Sequence, residues 1–136
     1  MMKADPQTQA EVMAAVDELF AAYAARDIER LQAGFSPDSD MVNFGVGGDN
    51  ERRTGLAGLY HEFEGEWSVT EETSCELGWH SVSASGSVAW LVADANLHWK
   101  IAGKEPESGT ARLSMVFERR EGRWLCMHKH FSVPDD

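Results

Sequence analysis

The chain has 136 residues, 43% of them hydrophobic, with five Trp and six Phe, which suits one packed domain and excludes a disordered chain. Its 23 acidic against 12 basic residues give a formal charge of −11, which argues against binding nucleic acid or an anionic membrane surface. Two widely separated cysteines, Cys75 and Cys126, exclude a disulfide framework or zinc ribbon and point to a reducing compartment. The opening MMKADPQTQA lacks an apolar signal core and no apolar run is long enough for a membrane span, so a cytoplasmic protein is expected.

In chain order, residues 1–7 read as a loose leader and 8–134 as a single domain. Thr8 or Asp5 can cap a helix for which Pro6 suits the first turn. Val12, Val16, Leu19, Phe20 and Tyr23 then recur at helical spacing to Ala25. Asp27 caps a short second helix through Leu31, stopped at Ser36-Pro37 because proline disfavours helix in the residue before it. Met41 to Phe44 reads as a strand, and Gly45-Val46-Gly47-Gly48 as a loop without the spacing of a dinucleotide fingerprint. Leu56, Leu59, Tyr60, Phe63 and Trp67 predict a third helix with Glu62, Glu64 and Glu66 on its outer face.

Four long strands follow, over about 71–84, 88–101, 110–118 and 124–132, separated by glycine-bearing turns. Helices first, one strand, a helix and then an antiparallel meander make an α+β arrangement. In the last hairpin Leu113, Met115 and Phe117 alternate with Arg112, Ser114 and Val116. After the turn, strand alternation puts Trp124, Cys126, His128, His130 and Ser132 on one face and Leu125, Met127, Lys129 and Phe131 on the other. Cys126 reads as a small core residue, and the arginines Arg119, Arg120 and Arg123 as a solvated tip. The second apolar set, Leu125, Met127 and Phe131, predicts a homodimer through the outer face of the sheet.

Two motifs carry a resemblance. The segment from Arg112 to Pro134, R-x-S-x-V-F-x-R-R-x-G-R-W-L-x-x-H-x-H-F-S-V-P, and Ala22 to Asp38, A-x-x-A-R-D-I-E-R-L-x-x-G-F-S-P-D, resemble the SnoaL-like branch of the nuclear transport factor 2-like superfamily. The W-L-x-x-H-x-H-x-S end is also similar to the association domain of calcium/calmodulin-dependent kinases. The resemblance implies a cystatin-like cone, a curved antiparallel sheet wrapped around the N-terminal helix with a pocket at its open end. The superfamily holds isomerases, cyclases, dehydratases and non-catalytic assembly domains, so the site has to be argued on its own. The resemblance places Asn43 at the carboxylate base of the ketosteroid isomerases, Leu19 or Phe20 at their tyrosine and Ser114 near their second acid. Asn43 can position a ligand but not take its proton at neutral pH.

The remaining candidates come from the strands. His128 and His130 have Cβ atoms roughly 7 Å apart, so they can line one cavity, act structurally, or share a metal with His98 or Asp94 as third ligand. H-x-H alone does not define a metal site, and neither metal nor cofactor is expected. Asp94, Asn96 and His98 share a face that is either solvent-exposed or lines a wet pocket. Arg112, beside Ser114, either holds a ligand carboxylate or pairs with Asp94 or Glu76. Tyr60 and Trp67 can form an apolar wall. The expected function is binding of a small organic molecule able to carry a carboxylate, in a pocket edged by Asn43, Arg112, His128 and His130. The alternatives are a non-catalytic assembly or ligand-sensing domain, and a cyclase-type lyase, isomerase or hydrolase using a histidine as acid–base.

Overall fold

The computed structural model describes residues 2–45 and 52–134. Val46 to Gly48 of the expected glycine loop lie outside the described residues. Helix α1 spans Pro6–Ala25, α2 Ile28–Ala33 and α3 Gly55–Ser68. The strands are β1 Val42–Phe44, β2 Arg52–Thr54, β3 Glu72–Ser85, β4 Val88–Lys100, β5 Glu107–Arg120 and β6 Arg123–Ser132. They form one curved sheet in the order β2-β1-β6-β5-β4-β3. Every pairing is antiparallel except β1 with β6, so the sheet is mixed rather than wholly antiparallel.

Helix α1 starts earlier than its apolar periodicity suggests. Asp5 is its N-cap, its side chain accepting from the Thr8 N–H at 2.7 Å, with Pro6 in the first turn. The segment before it is tied down as well, since the Ala4 N–H donates to the Val82 carbonyl at 3.1 Å and Lys3 bridges to Ser83. The other end closes at Arg26 in the left-handed region, φ 58°. The Arg26 guanidinium donates to the Trp67 carbonyl at 2.8 Å and the Thr70 hydroxyl at 2.9 Å, fastening the end of α1 to the end of α3.

The buried stripe of α1, Val12, Val16, Leu19 and Ala22, lies on the concave side of the sheet. The inward residues of the central strands are Ala89, Leu91, Ala93 and Ala95 on β4 and Ala111, Leu113, Met115 and Phe117 on β5, all buried. Alanines at four of these eight positions leave room for the helix and for the space beside it. The opposite face carries Val92, Asp94, Arg112 and Ser114, all exposed.

Two register shifts decide which side chains enter. In β3 the pairing with β4 slips between Leu77 and His80, leaving Trp79 exposed and bringing Val82 into the core. In β6 Cys126 pairs with Phe117 and His128 with Val116, so Met127 is an extra residue. The simple alternation expected along β6 therefore fails. Trp124 and Cys126 face inward before the bulge, Lys129 and Phe131 after it, and His128 and His130 face outward. The hairpin turns at Glu121, φ 51°, and Gly122, φ 78°, a two-residue turn that matches the strand twist.

The arginines near that turn are engaged rather than merely solvated. Arg120 donates to both carboxylate oxygens of Asp38, at 2.8 and 3.2 Å, and Arg123 donates to the Ala33 carbonyl at 3.0 Å. Arg119 lies over the Trp124 ring, 5.5 Å from its centre. The hairpin is thus pinned onto α2 and the loop after it.

Candidate functional site

A cavity of about 320 Å³ opens between α1, α3 and the concave face of the sheet. Its walls are mostly apolar: Leu19 and Phe20 from α1, Phe63 from α3, Leu97 from β4, Met115 from β5 and Phe131 from β6. The polar groups that enter it come chiefly from three elements. Tyr23 sits on α1, Glu62 and Glu66 one turn apart on α3, and Lys129 on β6 past the bulge.

These four form two pairs. The Lys129 ammonium donates to Glu62 Oε2 at 2.7 Å, with side-chain exposures of only 4% and 10%. The same ammonium lies over the rings of Phe63 and Phe131, at 5.2 and 5.6 Å from their centres. The Tyr23 hydroxyl donates to Glu66 Oε1. The Tyr23 ring in turn packs on Phe63 at 5.5 Å and Trp67 at 6.3 Å, which holds the hydroxyl in place.

Burial pushes the Glu66 carboxyl above its ordinary range, and the neighbouring Glu62 charge adds to the effect. The hydrogen bond from Tyr23 and the positive charges of Lys129 and Arg26 oppose it without reversing it. The Tyr23 hydroxyl is driven well above its ordinary value, by burial first and Glu66 second. Cys75, also on the cavity wall, has its thiol pushed up to about 12 by burial, so it stays protonated and is a poor nucleophile. A carboxyl with a raised pKa in an apolar cleft is a group able to exchange a proton with a bound molecule.

The residues expected from the strands lie elsewhere. Asn43 is buried, but its Oδ1 accepts from the Lys129 backbone N–H at 2.7 Å, so the amide fixes β1 against β6. Arg112 and Ser114 stand exposed on the convex face, with Asp94 directly opposite Arg112 in register. Asn96 shares that face, and His98, at the mouth of the cavity, has its ring 3.0 Å from Glu76. His128 Nδ1 bonds the Val42 carbonyl, and His130 is exposed with its ring 5.2 Å from that of Phe44. Tyr60 is exposed and packs on His61. Trp67 is buried and backs Tyr23 rather than forming the wall. The pocket edge of Asn43, Arg112, His128 and His130 is therefore not assembled, because three of the four face outward and Asn43, bound to backbone through its Oδ1, does not line the cavity. Among the described residues no cluster of three His, Cys, Asp or Glu side chains suits a metal ion.

The four polar residues inside the cavity were not singled out by sequence pattern. A signal existed for two of them. Glu62 and Glu66 flank the buried positions Leu59, Phe63 and Trp67 at helical spacing, whereas Glu64 alone points fully outward. Nothing local marks Lys129, whose direction depends on the bulge.

A curved sheet closed on a long helix, with a cleft at its open end, defines a cystatin-like, nuclear transport factor 2-like α+β cone. The chain belongs to the SnoaL-like domain family, whose model matches residues 12–136. No curated protein matches its sequence. Among solved structures it is similar to a provisionally named calcium/calmodulin-dependent protein kinase II association domain from Xanthomonas campestris. That match has 21% identity and a TM-score of 0.83, over 100% of this chain and 96% of that one. It is similar to a nuclear transport factor 2-like superfamily protein from Salmonella enterica at 14% identity and a TM-score of 0.84, covering 98% and 95%. A provisionally named dehydratase of this family from Streptomyces avermitilis gives 17% and 0.86, covering 96% and 100%. Identities this low establish the shared fold and leave the reaction to the site.

Proposed function

We propose that the protein binds a small, largely apolar organic molecule inside the cone, with Glu66 as the group that exchanges a proton with it. The observation that carries this reading is the apolar cavity of about 320 Å³ with a buried carboxyl of raised pKa on its wall. A cleft of this size and lining favours a ligand site over a purely scaffolding domain. His128 and His130, which face outward, do not serve this chemistry.

Calorimetric titration with a panel of small cyclic and aromatic molecules tests the proposal. Micromolar or tighter binding by at least one, lost in Leu97→Trp, which fills the cleft, is the expected result. No binding across the panel overturns it.

We further propose that the molecule is a homodimer through the convex face. Trp90, Val92 and Val116 form a short apolar strip there, Val92 being 38% exposed, and Phe44, 39% exposed, lies farther across the same face beside His130. Arg112 and Asp94 lie next to the strip, and a two-fold axis through it sets each near its opposite charge in a second copy. The two free thiols, one fully buried, suit a cytoplasmic setting.

A further inference from the structure

The ligand's chemistry can be narrowed from a buried polar atom on the cavity wall that has no partner among the described residues. Among the cavity-lining residues, Glu62 alone carries a buried side-chain polar atom without a partner among the described residues. That atom is Oε1; its sister Oε2 is held by Lys129 at 2.7 Å. A carboxylate oxygen accepts hydrogen bonds and donates none, and the Lys129 ammonium fixes this group in place through the sister oxygen. A buried acceptor left without a donor is unfavourable, and a ligand donor relieves it.

Lys129 and Tyr23, the donors of the two pairs, are already engaged. The Lys129 ammonium is bonded to Glu62 and lies over the Phe63 and Phe131 rings. The Tyr23 hydroxyl keeps its proton and donates a hydrogen bond to Glu66. Two acidic side chains face one ammonium that Glu62 already holds, which leaves none of these four groups as a free cation for a ligand carboxylate. Arg112, the cation that could have offset this, is exposed on the convex face of the sheet.

We infer that the ligand of this cavity bears a hydrogen-bond-donating group, a hydroxyl or an amine, on an apolar frame, and that Glu62 Oε1 receives it. This rests on the cavity being a ligand site, and it extends that reading to the class of ligand. Glu62 is then the specificity-determining residue, and Lys129 positions it. The ligand's apolar frame lies between Phe63, Met115 and Phe131.

Four probes of one shape separate the possibilities: cyclohexylmethanol, cyclohexylmethylamine, cyclohexylmethyl methyl ether and cyclohexanecarboxylate, titrated by calorimetry into the intact protein at neutral pH. The alcohol or the amine should bind about tenfold or more tightly than both the ether and the carboxylate. Which of the two leads shows whether the donor is neutral or cationic. Glu62→Gln, which puts an amide in place of the carboxylate, should narrow that preference, the alcohol and amine losing more affinity than the ether. The preference is read first on the unmutated protein, so it is decided even if Glu62→Gln does not fold. Ether or carboxylate binding as tightly as the donors overturns the assignment and leaves the cavity as a ligand site. An equal loss for all four probes in a folded Glu62→Gln also overturns it. Absence of binding by all four, together with silence across the wider panel, overturns both readings.

Discussion

Lys129 and Glu62 form an ion pair that is almost entirely out of water. Each charge stays buried only because the other is there, so removing one partner is costlier than removing both. Lys129→Met should destabilise the fold by about 3–5 kcal/mol, and Lys129→Met combined with Glu62→Leu should recover most of that loss. Urea unfolding of the two single variants and the double variant measures it. Additive losses would show that the pair contributes nothing as a pair. Glu66 makes a different prediction. Its carboxyl, ordinarily near 4.5, is raised in the folded state, so the folded chain holds this proton more tightly than the unfolded one. The associated stability is fully present below about pH 4.5 and is lost as pH rises through the folded-state value. Glu66→Gln mimics the protonated form and keeps an acceptor for Tyr23. Its Tm should exceed that of the unmutated protein at pH 8, with the difference closing at pH 4.5, as read by scanning calorimetry. A constant difference at both values would remove the proton from the explanation.

Strand β6 shows how one extra residue redirects an element. Met127 has no partner on β5; its sulfur instead accepts from the Arg120 guanidinium at 3.4 Å. The bulge lets Trp124 and Cys126 join the core at one end of the strand while Lys129 and Phe131 join the cavity at the other. Trp124 uses this placement to donate from its indole nitrogen to Glu11 on α1 at 3.0 Å. Deleting Met127 forces a choice between the two ends. Either Trp124 and Cys126 turn outward, or Lys129 and Phe131 do, with His128 and His130 turning in. The deletion should abolish cooperative thermal unfolding, whereas Met127→Ala, which keeps the extra residue, should retain a sharp transition. Near-ultraviolet circular dichroism over a thermal ramp distinguishes them. A sharp transition in the deletion variant would mean that the register is not fixed by the inward residues.

For the molecule as a whole, the two faces of the sheet have opposite tasks. The concave face holds α1 and the cavity; the convex face keeps a short apolar strip centred on Val92. Phe131, expected on that outer face, lines the cavity instead, so the strip rests on different residues from those read in the sequence. Val92→Glu places a charge in its middle and should convert the expected dimer to monomer without lowering ligand affinity, since the cavity opens on the other side. Sedimentation velocity at micromolar concentration is the measurement. A monomer before mutation removes the dimer proposal.

How far these features were legible depends on the range of the interactions behind them. The helical stripe Val12, Val16, Leu19 and the alternation along β4 and β5 follow from local geometry, and the sequence by itself determined them. The same holds for the glycine turn of the last hairpin and, through its motifs, the family cone. A period of two separates a strand's faces without saying which one meets the helix. For Arg112, Asp94 and Asn96 the outward direction came only from packing, because Ala93, Leu113 and Met115 bury more favourably in the core with α1. The bulge at Met127 then inverted the phase within one strand, placing Lys129 inside and His128 and His130 outside. Lys129 met Glu62 across 67 residues of chain, and Tyr23 met Glu66 across 43. Such contacts belong to no sequence window; only the tertiary structure could decide them, since a buried charge is tolerated only where its partner also arrives.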